Sequence, residues 1–259
     1  MDTLIHSVNL HGIQNSFDPS IEVAVKLNKL KDSEQFKPIL IHCEGLLLWT
    51  PNGGKLVVWN PCTGQTRWIK SNHRNLLLDR YVLGYVNNNN KSWDSYRILT
   101  FDYFYCCLKA SPLKFDIYEF NSDSWRFLDD VYPNSFIHSD GVTLKGNAYW
   151  YALDEEDSLL KFILKFDFTT ERFERLRLPL SFKSTSYVSV VLSVVRGGKL
   201  ALLQQRVDDT DSLKMDIWVT KTKIDEAKDL LWSNFLVVDL GKVMLPDVMM
   251  VPYMSFLVD

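Results

Sequence analysis

His138, Ser139 and Asp140 stand side by side and carry the residue types of a base, a nucleophile and an orienting carboxylate. A hydrolytic triad needs these groups in a shared hydrogen-bonded geometry, and contiguity does not supply it. No G-x-S-x-G elbow accompanies them, so the tripeptide reads as a turn entering a repeat. Cys43, Cys62, Cys106 and Cys107 contain no C-x-x-C pair. His42 and Cys43 are neighbours on a predicted strand and point to opposite faces, so they would not converge on one ion. The thiols read as reduced and structural, Cys106-Cys107 as buried small hydrophobes. Gly53-Gly54-Lys55 and Gly197-Gly198-Lys199 lack the upstream glycine and the Ser/Thr of a phosphate loop, and they read as hairpin turns. No catalytic, cofactor-binding or metal-binding residue is assigned.

What remains is surface chemistry. Two acidic runs, Asp154-Glu155-Glu156-Asp157 and Asp208-Asp209-Thr210-Asp211, fall at equivalent places between predicted strands. Neither matches a calcium loop or a paired-carboxylate site. The plain reading is solvated loop tips; the functional one is an acidic rim, with both runs on one face of the molecule, that selects basic partners. Trp93 and Asp94 follow a run of four asparagines that cannot bury itself, which makes Trp93 either a folded-back ring or an interface anchor. Partner-binding candidates are therefore Trp93, Asp94, Asp154, Glu155, Glu156, Asp157, Asp208, Asp209 and Asp211.

The scaffold that must position them is legible in composition and repeat. The 259 residues are 46% hydrophobic and 24% charged, enough apolar content for a sizeable core. The net charge of −3 gives no electrostatic case for nucleic acid or an anionic membrane. The apolar stretch 243–258 is broken by Pro246, Asp247 and Pro252 and is unsuited to a membrane span. The first residues lack the basic start and apolar run of a secretory signal, and no basic cluster argues for import, so a cytoplasmic or nuclear location is expected.

Four segments repeat one pattern of short strands, polar turns and aromatics. Their third strands carry Trp59, Tyr118, Phe166 and Trp218, separated by 59, 48 and 52 residues. Tyr118 to Trp125 and Phe166 to Phe173 are each seven apart. Units of roughly 50 residues and four strands predict an all-β, kelch-like β-propeller of about five blades. Blades are expected at roughly 37–70, 81–129, 136–180 and 186–240, with a partial one from 1–30 and 245–259. Trp59, Trp68, Trp125 and Trp218, with Tyr118, Phe166 and Phe173, are assigned to the structural repeat, the tryptophans to packing between blades.

Within this frame, HCEGLLLW followed by LVVWNPCTGQTRWI resembles the plant F-box-associated interaction domain, type 1. YVLGY, FDIYEFNSDSWRFL, GVTLKGNAYWYA, FDFTTERFERLRLP and MDIWVTKTKID continue the likeness in order through most of the chain. The resemblance implies a non-catalytic module that captures the protein to be ubiquitylated, while a helical F-box docks on the Skp-type adaptor of a cullin-based ligase. No F-box-like helical stretch precedes residue 20, and the family's last segment is expected to be missing. Adaptor and cullin are thus expected only if an F-box equivalent exists.

Two other readings compete. A truncated member could act as a competitor of full-length relatives or have no function. A propeller hydrolase or lyase would need charged groups on the first strand of each repeat, where His42 is the one good acid–base residue.

Overall fold

The structure is a computed structural model describing residues 5–8, 21–25, 40–50, 55–72, 79–87, 95–102, 114–129, 131–157, 159–180, 182, 187–208, 210–224 and 229–242. Every regular element among them is a β-strand. The chain forms two compact units, residues 32–176 and a second comprising 1–31 with 177–259.

The unit of residues 32–176 holds three antiparallel sheets. The first is β3 (Leu40–Cys43), β4 (Leu46–Trp49), β5 (Lys55–Trp59) and β6 (Thr66–Lys70), hydrogen-bonded in that order. The second is β7 (Asp79–Tyr85), β8 (Tyr96–Asp102), β9 (Phe115–Glu119) and β10 (Ser124–Phe127), again a simple meander. In the third, β13 (Asn147–Asp154), β14 (Lys161–Asp167) and β15 (Arg172–Leu176) follow an innermost position that is split. Both β11 (Ser135–Ile137) and β12 (Val142–Leu144) pair with β13, at opposite ends of it.

His138-Ser139-Asp140 lies in the gap between β11 and β12, inside the innermost position and not at the entry of the repeat. The Ser139 hydroxyl accepts the Tyr151 N–H at 2.8 Å, and the His138 N–H donates to the Tyr151 carbonyl at 2.9 Å. These bonds satisfy backbone groups of β13 that the interrupted ladder leaves open.

Local sequence explains the tightest turns. Glu44-Gly45 and Lys145-Gly146 are two-residue loops whose φ values are all positive, 48° and 86°, then 53° and 80°. That geometry matches the right-handed twist of the paired strands and places glycine where a side chain would be strained. The second loop ends at Gly146, and Asn147 opens β13.

The innermost strands β3, β7 and β12 lie against one another. Tyr85 N–H donates to Gly146 O at 3.2 Å and Thr143 Oγ1 to Leu83 O at 2.6 Å, joining the second and third sheets at their inner edges. Between the same two sheets, Phe101 and Phe115 meet Trp150 and Phe173 with ring centroids 5.0–6.0 Å apart. Phe166 closes the cluster at 4.9 Å from Phe173. Between the first and second sheets, Trp125 Nε1 donates to the Lys70 carbonyl at 2.8 Å.

Ionic clasps reinforce both contacts. Arg67 of β6 reaches Asp123 at 2.8 Å and the Phe120 carbonyl at 2.9 Å, and its guanidinium covers the Phe120 ring at 4.7 Å. Arg97 of β8 reaches Glu171 at 2.7 Å and the Phe168 carbonyl at 3.1 Å, and Arg126 of β10 joins the same carboxylate. Asp123 and Glu171 occupy the corresponding positive-φ positions, 53° and 55°, of the turns before β10 and β15. One device is thus used at successive sheet boundaries.

The second unit contains β1 (Ile5–Val8) paired with β2 (Ile21–Val25), and a four-stranded meander. The meander runs β16 (Tyr187–Val195), β17 (Lys199–Val207), β18 (Ser212–Thr220) and β19 (Trp232–Lys242). Ala201, Leu203 and Ile217 form its buried centre, and Trp218 packs on Phe182 with centroids 5.9 Å apart. Gly197 and Gly198 turn β16 into β17 with φ of 81° and 76°, whereas Gly53-Gly54 lies outside the described residues. So does 245–259, the expected C-terminal share of a partial blade.

Trp68 corrects the packing assignment: it is 58% exposed. It pairs with Val57 on the face of the first sheet that points away from the second, while Arg67 and Ile69 take the inter-sheet side.

Candidate partner-binding surface

The first acidic run occupies the loop between β13 and β14, and most of its geometry comes from one arginine. Arg175 of β15 donates to Asp154 Oδ2 at 2.5 Å, to the Asn134 carbonyl at 2.7 Å and to the Pro133 carbonyl at 3.3 Å. Its guanidinium lies over the Phe162 ring at 4.3 Å. A single side chain therefore ties the 131–134 loop to the 154–160 loop, using the planar fork that lysine lacks.

Asp154 also folds its own loop. Its Oδ1 accepts the N–H groups of Glu156 and Asp157, both at 2.9 Å, as an Asx turn does. The Asp157 N–H foremost, then Arg175, hold the Asp154 carboxyl below the ordinary carboxylate range. Asp154 N–H reaches Leu160 O at 2.9 Å, Leu160 N–H reaches Asp157 O at 2.9 Å, and Leu159 N–H reaches Asp157 Oδ1 at 3.0 Å. Glu155 N–H donates to the Asn134 carbonyl at 3.2 Å, while Glu155 Oε2 accepts the Tyr132 hydroxyl at 2.5 Å.

On this pinned frame the apolar side chains face outward. Leu159 is 77% exposed, Leu160 52% and Tyr132 38%. Glu156 and Asp157 are exposed beside them. An apolar group rimmed by carboxylates on a fixed loop is suited to contact with another polypeptide.

Leu159 and Leu160 precede β14, which begins at Lys161. Two adjacent leucines directly after an acidic run break the alternation of a half-buried strand, and that break was the available signal. Tyr132 and Arg175 had none, because their roles arise from contacts 23 and 21 residues away.

The second run shows the same economy in the other unit. Asp208 lies between β17 and β18, and its Oδ1 accepts from Thr210 N–H at 2.9 Å, Thr210 Oγ1 at 2.7 Å and Ser212 N–H at 3.1 Å. Lys214 Nζ sits 2.8 Å from Oδ2 and, with Thr210, pulls the carboxyl strongly down. Asp211 is exposed at a φ of 57°. Asp208 thus serves the turn, leaving Asp211 as the outward carboxylate among the described residues of that loop. Trp93, Asp94 and Asp209 lie outside the described residues.

The chemistry-bearing groups weighed earlier have local roles. His42 is exposed, and its Nε2 accepts the Gly45 N–H at 3.0 Å, closing the β3–β4 turn. Burial, then the nearby Lys161 charge, lowers the His138 pKa. Cys43 is buried and Cys62 exposed. Among the described residues, no three His, Cys, Asp or Glu side chains group to hold a metal, and no helix is long and apolar enough to cross a membrane.

A family model described as the F-box associated beta propeller domain matches residues 1–259. The chain is 55% identical over 262 residues to the Arabidopsis thaliana F-box protein At3g17265, covering 100% of this chain and 65% of that protein. It is 52% identical to the F-box/kelch-repeat protein At3g17570 of the same plant, over 98% of this chain and 65% of the relative. The chain thus spans just under two thirds of the length of these relatives. Among solved structures, that of YjhT superposes with a TM-score of 0.47 at 12% identity, over 79% of this chain and 66% of its own.

Proposed function

Because this chain belongs to the F-box associated β-propeller domain family, we propose that it is a protein-capturing module, the part of a ubiquitin-ligase receptor that holds the target. The observation that carries this reading is the loop pair clamped by Arg175, which presents Leu159, Leu160 and Tyr132 to solvent beside carboxylates. A fold needs neither the exposure nor the clamp at a passive loop tip. Together they make a surface that is apolar, charged and already ordered, and pre-ordering lowers the cost of binding.

Names of close relatives support the lineage: they are F-box and F-box/kelch-repeat proteins. In such a system the β domain selects the target, and an F-box elsewhere in the protein delivers it to the Skp-type adaptor and cullin. Ubiquitin transfer belongs to other subunits, so the module itself performs no chemistry. A cytoplasmic or nuclear setting, where ligase and targets meet, completes the reading.

The test is affinity capture from plant extract with the purified chain, followed by cross-linking and mass spectrometry, with parallel detection of the adaptor and cullin. Retained targets together with adaptor and cullin support a receptor that reaches the ligase as it stands. Retained targets without them support capture alone, and make this chain a competitor of full-length relatives. Retention no greater than that of an unrelated β-protein rules the reading out.

A further inference from the structure

We infer that the surface formed by Tyr132, Glu155, Glu156, Asp157, Leu159 and Leu160 docks a partner segment in which an apolar side chain is flanked by lysine or arginine. This inference rests on the capture reading and gives it a site and a ligand chemistry. The apolar half of the recognition is set by Leu159 and Leu160, 77% and 52% exposed on a loop whose backbone is bonded at Asp154, Asp157, Leu159 and Leu160. Leucine side chains held out in water by a fixed backbone gain by contact with an apolar partner.

The charged half follows from which groups are already committed. Arg175 and Asp154 neutralise one another at 2.5 Å. Glu155 accepts the Tyr132 hydroxyl through one carboxylate oxygen. Glu156 and Asp157 are exposed. Among the described residues from 154 to 162, Lys161, half-buried at the start of β14, is the one cation against these three carboxylates. The field over the leucines is therefore negative. It repels nucleic acid and acidic peptides, and it would repel the same surface on a second copy of the chain. A cationic peptide with an apolar anchor is the complement.

A library of short randomised peptides displayed on phage and panned against the purified chain tests this directly. The enriched sequences should carry lysine or arginine beside leucine, isoleucine, methionine or phenylalanine. A fluorescein-labelled enriched peptide should bind Leu159→Ser/Leu160→Ser about ten-fold more weakly, as loss of two apolar contacts requires. Glu155→Gln/Glu156→Gln/Asp157→Asn should weaken it about three- to ten-fold, with a smaller salt dependence than the parent chain.

The leucines, Glu156 and Asp157 are exposed and Glu155 is half-buried, and matching thermal melts confirm that each variant is folded. Enrichment of neutral or acidic peptides, no enrichment, or equal binding by both variants overturns the site. Failure here with proteins still captured from extract removes the site and leaves the receptor reading standing. Failure of both experiments removes both.

Discussion

At the residue scale, the clasps between sheets assign distinct weights to single side chains. Trp125 is half-buried, and its indole N–H reaches the Lys70 carbonyl at 2.8 Å. Trp125→Phe keeps the ring contact with Tyr118 but leaves that carbonyl without this donor, so urea unfolding should show a loss of about 1 kcal/mol. Tyr118 carries a pH signature. Burial, followed by its bond to Asp123, pushes the phenol up to about 12. The neutral phenol is thus favoured in the folded chain, and its contribution is complete below the ordinary value near 10. It is lost as pH rises through about 12. Melting temperatures measured across that window should fall less steeply for Tyr118→Phe than for the parent chain. Asp123 works in the opposite direction: the bonds from Tyr118 and Arg67 lower its pKa, so its contribution is present above the ordinary carboxylate range and lost as pH falls through the lowered value.

At the element scale, close approach of strands decides what can be substituted. Gly84 of β7 faces Phe168, and a Cβ there would collide with that ring and lie 2.6 Å from the Gly146 carbonyl. Gly84→Ala should therefore cost about 1–3 kcal/mol by overpacking, visible as a lower urea midpoint. Arg175→Met should leave the β15 pairing intact while releasing both loops, so hydrogen exchange should quicken at the Glu155 and Leu160 amides and not at Leu164. The sequence periodicity made much of this layer visible. Aromatics seven apart are direct cross-strand partners, as Tyr118 with Trp125 and Phe166 with Phe173 show, because four turn residues separate the strands. Between β5 and β6 the same seven-residue spacing pairs Trp59 with Thr66, and Trp68, two residues further on, stands opposite Val57. Periodicity reports which residues share a face, but not whether another sheet covers that face. For the same reason Asp154 and Asp208 could be found as acidic loop residues, while their service as turn-formers depended on backbone N–H groups that only the folded loop presents.

At the scale of the whole molecule, a repeated antiparallel meander supplies a scaffold, and function resides in what its loops display. Alternation and repeat length predicted the all-β propeller fold, and the family to which the chain belongs carries that fold. The proposed surface is only half legible in the sequence: the carboxylates stand out as a run, whereas nothing in the sequence marks Arg175 as the residue that clamps their loop. The most direct measurement is quantitative capture from plant extract by the parent chain, by Leu159→Ser/Leu160→Ser and by Asp211→Asn as a control in the other unit. A set of polypeptides retained by the parent and by Asp211→Asn, and depleted with the leucine variant, is the predicted result. A parent chain that retains nothing beyond an unrelated β-protein, or a leucine variant that retains the same set undiminished, would contradict the account.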